Sequence, residues 1–139
     1  MSELRHIHKL HDGKLWVISI LTGTAAGVDA WEHSVRDYIA QANSPERYLV
    51  YDTTGILNLG FTKYLQQRAS VLALDNREAL GRVAIVMNVP QVVRYLFETF
   101  ITISSRHTQP RLSVKLFSER PKAVAWVEEG LRQQHPNIP

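Results

Sequence analysis

The hydrophobic positions at the start of this chain fall in two short segments separated by a polar break. The segments, Leu4 to Leu10 and Leu15 to Leu21, flank His11-Asp12-Gly13-Lys14. An Asp-Gly pair suits the positive φ angles of a tight hairpin turn. The pattern therefore predicts an antiparallel pair of strands.

The next part of the chain changes to the period of helices. Apolar residues at steps of three and four predict helices over about Val28 to Ala42 and about Phe61 to Leu74. Between them, Tyr48 to Thr53 is apolar without strict alternation, which is typical of a strand buried on both faces.

The second half repeats this change between strand and helix. Gly81 precedes the apolar segment VAIVMNV, and Pro90 suits the first turn of a third helix, where its missing amide proton is not needed. Leu112 to Phe117 predicts a last strand, with Ser118 as the N-cap of a last helix. The predicted order is ββαβαβαβα, a single α/β domain over residues 1–139. Its five-stranded sheet is mixed and mostly parallel, with the first strand antiparallel.

Composition limits the classes of function. The 139 residues, 45% of them apolar, suffice for one core without cross-links. The absence of cysteine excludes disulfides, thiolate catalysis and cysteine-bound metals. A net charge of +3 without a basic run gives no indication of nucleic-acid binding, and no motif calls for a cofactor. No apolar stretch approaches the roughly 20 residues of a membrane span, and no signal peptide is evident, so we expect a cytoplasmic protein.

Candidate chemistry is concentrated after the first buried strand, in Asp52, Thr53 and Thr54. Loops at the carboxyl ends of strands commonly hold the functional residues of α/β domains. An aspartate followed by Xaa-Thr-Gly resembles the nucleophile loop of haloacid-dehalogenase-type phosphatases, although no second acidic cluster follows to hold magnesium. The simpler interpretation is a turn in which these side chains bond loop amides. An enzyme site that also uses Asn88 stays open as an alternative.

Histidines near the N-terminus form a second cluster. His6 and His8 share one face of a strand, with His11 at the turn, a spacing that can ligate a metal. On an edge strand such histidines are more often solvated polar residues, so we predict no metal site.

The third helix is apolar over more of its circumference than a helix covering a sheet requires. Its apolar side chains spread over roughly 240°, compared with about 100° for a single stripe. A twin subunit, a hydrophobic ligand or membrane surface between the second and third helices, and a neighbouring helix are the alternatives for covering it. The residues assigned to this interface or pocket are Trp31, Val93, Tyr95, Leu96, Phe97 and Phe100.

The element order resembles that of the STAS domain, found in bacterial anti-sigma-factor antagonists and in anion transporters. It is more similar still to the divergent STAS-like branch that is grouped with lipid-binding CRAL-TRIO folds. The segments that carry the resemblance are YLVYDTTGI, FTKYLQQRA, GRVAIVMNV and RLSVKLFSERPKAVAWVEE. In STAS domains an Asp-Ser-Ser-Gly loop opens a helix and carries a phosphorylated serine. Alignment on Asp52 places Gly60 to Lys63 over that motif, so the resemblance offers Thr62 as a phosphoacceptor candidate.

The resemblance implies a non-enzymatic regulatory module that binds a protein partner, and we also expect a homodimer. A binder or carrier of a lipid-like apolar small molecule is the alternative, and an enzyme with a site near Asp52 is the third hypothesis. The binding or switch loop would comprise Asp52, Thr53, Thr54, Phe61, Thr62, Lys63 and Tyr64.

Overall fold

The computed structural model describes residues 4–54 and 62–137, and the predicted order of elements is confirmed. The strands are β1 (Arg5–Leu10), β2 (Leu15–Ile20), β3 (Glu46–Asp52), β4 (Leu80–Val86) and β5 (Leu112–Phe117). The helices are α1 (Ala25–Ala42), α2 (Thr62–Asp75), α3 (Gln91–Thr108) and α4 (Arg120–Gln134).

The five strands form one sheet in the order β1-β2-β3-β4-β5. β1 pairs antiparallel with β2, and the other neighbours are parallel, as predicted. Each pair of parallel neighbours is connected through one helix. Such connections are right-handed, so when the strands follow one another in order across the sheet, their helices lie on the same face. Consequently α1, α2 and α3 cover one face, and α4 covers the other.

The sheet has a separate core on each face. From β2, Trp16 and Ile18 pack under α1, whereas Leu15 and Val17 pack under α4. All six residues of β2 are buried, because successive side chains point to opposite faces and both faces are covered.

Helix α1 begins three residues earlier than its apolar pattern predicts. Thr24 is the N-cap, and its Oγ1 accepts the N–H of Gly27 at 3.2 Å. The first helical residues, Ala25 and Ala26, are exposed, so they contribute nothing to the apolar period. At the other end Asn43 takes the left-handed conformation with φ of 46°.

Strand β4 begins earlier than predicted, so Gly81 lies within the strand instead of before it. Gly81 has φ of +112°, and a Cβ at this position would lie 2.2 Å from the backbone oxygen of Arg47 on β3. Position 81 therefore requires glycine because β3 and β4 approach each other closely here. The residues next to Gly81 in the sequence do not reveal this approach.

The prediction that Ser118 caps α4 is wrong. The N-cap is Glu119, which makes no side-chain capping bond, and the Ser118 hydroxyl instead accepts a hydrogen bond from Nη1 of Arg94 at 2.7 Å. Arg94 on α3, which is distant in sequence, therefore binds the Ser118 oxygen that the N-cap preference assigns to the start of α4. Across the described ranges, no helix has both the length and the apolar content needed to cross a bilayer.

Candidate functional site

Asp52 closes β3 and folds back on its own loop. Its side chain is only 9% exposed, and its Oδ1 accepts the backbone N–H of Thr54 at 2.9 Å and the Thr54 hydroxyl at 2.6 Å. This is the turn geometry of an aspartate that bonds the residue two positions later.

The polar groups around Asp52 are also engaged. Nη1 of Arg120, at the start of α4, lies 3.4 Å from Asp52 Oδ2 and 3.4 Å from the Ser19 hydroxyl. Thr53 is buried, and both its hydroxyl and its backbone N–H donate to the carbonyl oxygen of Val86, at 2.8 and 2.9 Å. At the carboxyl ends of the strands, these side chains thus form a hydrogen-bond network whose partners are groups of the protein itself.

Of the other residues assigned to the switch loop, Lys63 and Tyr64 do not join this network. Phe61 and the side chain of Thr62 lie outside the described residues. Lys63 is exposed, and the Tyr64 hydroxyl donates to Asp29 on α1, a bond that raises the pKa of Tyr64. Tyr64 packs on the face of the sheet under α1, whereas Asp52 contacts α4 on the opposite face.

A second candidate site is a cavity of about 160 Å³ between the sheet and the first three helices. We call it the apolar cavity, since most of the side chains around it are hydrocarbon. From the sheet it is lined by Arg47, Leu49, Tyr51, Val83, Ile85, Leu112 and Val114. From the helices, and from the residues just after α2 and α3, it is lined by Trp31, Val35, Ile39, Ala69, Ser70, Leu72, Ala73, Asn76, Phe100, Ile101 and Gln109.

Small side chains on α2 leave this space open. Ala69 and Ala73 lie one turn apart on the face that lines the cavity, with Ser70 beside them. Residues four apart on a helix share a face, so two alanines at this spacing leave a gap where larger residues would fill the core. Small residues spaced four apart on the buried side of α2 are the sequence signal for this cavity, and the period of the large apolar residues does not contain that signal.

One end of the apolar cavity is polar and internally bonded. Arg47 is only 4% exposed, and its Nη1 donates to the carbonyl oxygens of Ser44 and Glu46. Its Nη2 donates to Asn76 Oδ1 at 3.3 Å, and Gln109 donates to the Asn76 carbonyl oxygen at 2.8 Å. Burial lowers the pKa of Arg47 below its ordinary value.

Trp31, one of the aromatic residues that line the cavity, carries a buried polar group without a partner among the described residues. Trp31 is 3% exposed, and its ring meets Tyr51 edge to face with centroids 5.3 Å apart. Its Nε1–H has no acceptor among the described residues. Leaving a buried donor unpaired costs about 1–3 kcal/mol. Burial also raises the pKa of Tyr51 above its ordinary value.

The third helix presents its excess apolar surface to solvent. We define the α3 stripe as Val92, Tyr95, Leu96 and Ile103, whose exposed fractions are 72%, 68%, 62% and 57%. A neighbouring helix therefore does not cover these four residues, which answers one of the alternatives left open by the sequence. The six residues assigned to the interface or pocket separate into Trp31 and Phe100 at the cavity, Tyr95 and Leu96 in the stripe, and half-buried Val93 and Phe97.

The histidines of the first strand face solvent. His6 and His8 are exposed, and Nε2 of His11 lies 2.7 Å from Glu128 on α4. In the described part of the chain, no three His, Asp or Glu side chains are grouped so as to hold a metal ion.

Comparison with known proteins identifies the fold. No family model and no curated protein matches the chain. Among solved structures, it is similar to an uncharacterised protein of the DUF3478 family with a SpoIIAA-like fold from Shewanella loihica. The two are 18% identical, with a TM-score of 0.58, over 91% of this chain and 98% of the other. The protein thus has the SpoIIAA-like, or STAS-like, fold that its sequence resemblance implies.

Proposed function

We propose that this STAS-like protein is a non-enzymatic binding module that takes up a small apolar molecule in the apolar cavity. The observation that carries the proposal is the cavity itself, which is bordered by the sheet and three helices, partly open to solvent, and lined mainly by hydrocarbon. Ligand sites are typically concave, apolar and equipped with a few polar groups that orient the ligand.

The volume of the cavity limits what it can hold. Apolar cavities of about 150 Å³ engineered into protein cores stay dry and bind benzene. The 160 Å³ present here corresponds to a molecule built on one ring or a short branched chain. A lipid with two acyl chains is far larger than this space, so the proposal is for a smaller molecule.

The geometry at the carboxyl ends of the strands supports binding over catalysis. The Asp52 carboxylate and the hydroxyls of Thr53 and Thr54 all bond to groups of the protein itself. The bonds from Asp52 to the N–H and hydroxyl of Thr54 are those of a structural turn, which supports a structural role for these side chains.

The test is thermal unfolding with and without benzene and toluene as probes. A ligand that binds only the folded state stabilises it by RT ln(1 + [L]/Kd), so both probes should raise the melting temperature. Ala73→Leu should abolish that increase because the added carbons occupy the cavity. Ala125→Leu, at an exposed position of α4 on the other face of the sheet, is the matched control and should retain it. No response of the wild-type protein, or an equal response of Ala73→Leu, would overturn the proposal.

A second candidate function is self-association through the α3 stripe. Four large apolar side chains more than half exposed along one helix form a patch of the kind that marks interaction surfaces. The expectation of a homodimer makes a second copy of the chain the partner to test first.

Sedimentation over a range of concentrations tests this second candidate. Leu96→Lys should shift the protein toward monomer, because it places a charge in the contact. Leu21→Lys, at an exposed leucine outside α3, should leave the association unchanged. A wild-type protein that is monomeric at every concentration would contradict self-association.

A further inference from the structure

We infer that the ligand of the apolar cavity is a small carboxylic acid, whose apolar body fills the cavity and whose carboxylate accepts a hydrogen bond from Nε–H of Arg47. The inference rests on the proposed function and adds the chemical class of the ligand. It gives a binding role to an arginine that belongs to none of the motifs in the sequence.

Arg47 is a buried cation without a carboxylate partner. The residue is 4% exposed, and its Nη1 donates to the backbone carbonyl oxygens of Ser44 and Glu46. Its Nη2 donates to Oδ1 of Asn76 at 3.3 Å, so every acceptor bound to this guanidinium is an uncharged oxygen. None of the ion pairs formed by the described residues includes Arg47. Because buried charges in proteins are normally paired, an anion is the missing partner.

The electrostatics of Arg47 agree with this absence. Burial is the largest influence on Arg47 and lowers the pKa of its guanidinium, although an arginine stays charged even so. The charge of the exposed Glu78 acts on that pKa in the opposite direction, without forming an ion pair with Arg47. The neighbours of Arg47 therefore do not fully replace its lost hydration, and an anion in contact with it would.

The Nε–H group of Arg47 is unbonded and open to a small molecule. Its hydrogen bonds all come from Nη1 and Nη2. Among the described residues, the polar side-chain atoms that are both closed and without a partner are Arg5 Nε and Trp31 Nε1, so Nε of Arg47 is not closed. Arg47 lines the apolar cavity and is otherwise buried, so the cavity is the space that gives access to this donor.

The rest of the lining limits the ligand to one anionic group on an apolar body. Arg47 is the only charged residue in the described lining, and most of the other side chains are hydrocarbon. A cationic ligand would meet the charge of Arg47 without a carboxylate to bind it. One open N–H suits a carboxylate, which forms short charge-assisted hydrogen bonds with a guanidinium. A phosphate has more oxygens and would leave most of them facing hydrocarbon, which is costly.

The experiment compares benzoate with benzamide at pH 7, because the two probes have the same shape and differ in charge. Dissociation constants for both probes are measured with the wild-type protein and with Arg47→Gln. The wild-type protein should bind benzoate about 10-fold more tightly than benzamide, since a hydrogen bond between charged groups is stronger than one to a neutral acceptor. Arg47→Gln should lose this preference.

Two further variants test the contact and its place. Arg132→Gln removes the same charge from an exposed position of α4, on the other face of the sheet, and should retain the preference for benzoate. It separates a direct contact from general attraction by a positive protein. Ala73→Leu should prevent benzoate from binding, because the added carbons occupy the apolar cavity that Ala73 lines.

An NMR measurement on the wild-type protein decides the question if Arg47→Gln does not fold. Benzoate should move the Nε–H resonance of Arg47 downfield, and toluene should not. The Nε–H of Arg94 already donates to Glu98 at 3.1 Å on exposed α3 positions, so its resonance is the internal control and should stay in place.

The outcomes separate this inference from the proposed function. Equal binding of benzoate and benzamide to the wild-type protein, an unchanged preference in Arg47→Gln or Ala73→Leu, or an unmoved Arg47 resonance would each overturn the inference. If toluene still binds in those cases, the proposed function stands. Failure of benzoate, benzamide, benzene and toluene to bind would overturn both proposals.

Discussion

Arg68 of α2 donates two hydrogen bonds to the carboxylate of Glu32 on α1 and so joins the two helices that border the apolar cavity. Nη2 of Arg68 lies 2.7 Å from Glu32 Oε2, and Nε bonds to Oε1. Arg36, one turn along α1, also donates to Glu32 at 3.1 Å. Glu32 is buried beside these cations, and the hydrogen bond from Arg68 holds the pKa of its carboxyl below the ordinary value.

Glu32→Gln should lower the free energy of unfolding by about 1 kcal/mol, a value limited by solvent screening of partly exposed arginines. The substitution keeps the shape of the side chain but removes the charge that both arginines bind. Glu98→Gln, in an exposed pair with Arg94 on α3, is the control and should cost ~0.3 kcal/mol. Urea unfolding of the three proteins measures the difference, and equal losses would show that the α1–α2 pair contributes no more than a surface pair.

Acid should weaken the protein through the same carboxylate. Because the pKa of Glu32 is lower in the folded state than its ordinary 4.5, the unfolded state binds the proton first as the pH falls. The stability due to Glu32 is present above pH 4.5 and is lost as the pH falls through the folded-state pKa. We expect the stability gap between wild type and Glu32→Gln to close over that window. A gap that is constant from pH 7 to the acid transition would contradict the assignment.

Alkali should weaken the protein through Tyr38. Its hydroxyl donates to the Lys14 carbonyl oxygen at 2.8 Å and accepts the N–H of Tyr48 at 2.9 Å. Burial raises its pKa to about 12 from 10.0, so above pH 10 the unfolded state loses the proton first and stability falls as the pH rises toward 12. Tyr38→Phe should be less stable at pH 7, and its stability should fall less steeply over this range. Parallel pH profiles for the two proteins would rule out this role.

Gly81→Ala should be far more harmful than Gly130→Ala. At Gly81 a Cβ would collide with the backbone oxygen of Arg47 while φ is positive, a combination that costs at least ~2 kcal/mol. At Gly130 on α4 a Cβ would meet the side chain of Arg82, which can move, and alanine gains ~1 kcal/mol of helix propensity. Chemical unfolding measures both. A similar loss at the two positions would contradict the assigned role of the strand contact.

Asp52→Ala should lower the free energy of unfolding by about 1–2 kcal/mol, whereas Asp52→Asn should cost less. Asparagine retains an oxygen for the N–H and hydroxyl of Thr54 and loses only the charge that faces Arg120. Thermal unfolding of both variants measures the order. If Asn is as harmful as Ala, the ion pair with Arg120 carries the contribution instead of the turn.

Local sequence patterns predicted most of the helices and strands, because the conformation of each element depends mainly on residues that are neighbours in the chain. The apolar run of β3 and the three- and four-residue steps of α1 identify each element whatever it packs against. Predictions that depended on distant partners were less successful. Ser118 bonds to Arg94 instead of capping α4. Position 81 requires glycine because of the nearby backbone of Arg47, and that contact forms only when β3 and β4 lie side by side.

The candidate sites show the same division. The sequence alone determined that Asp52 closes a buried strand and that α3 has more apolar surface than one sheet contact needs. Only the tertiary structure decided that Asp52 turns inward to Thr54 and Arg120, and that a cavity lies over Ala69 and Ala73. The physical reason is that periodicity records which face of an element is buried, whereas a cavity is the space left after elements distant in sequence have packed together.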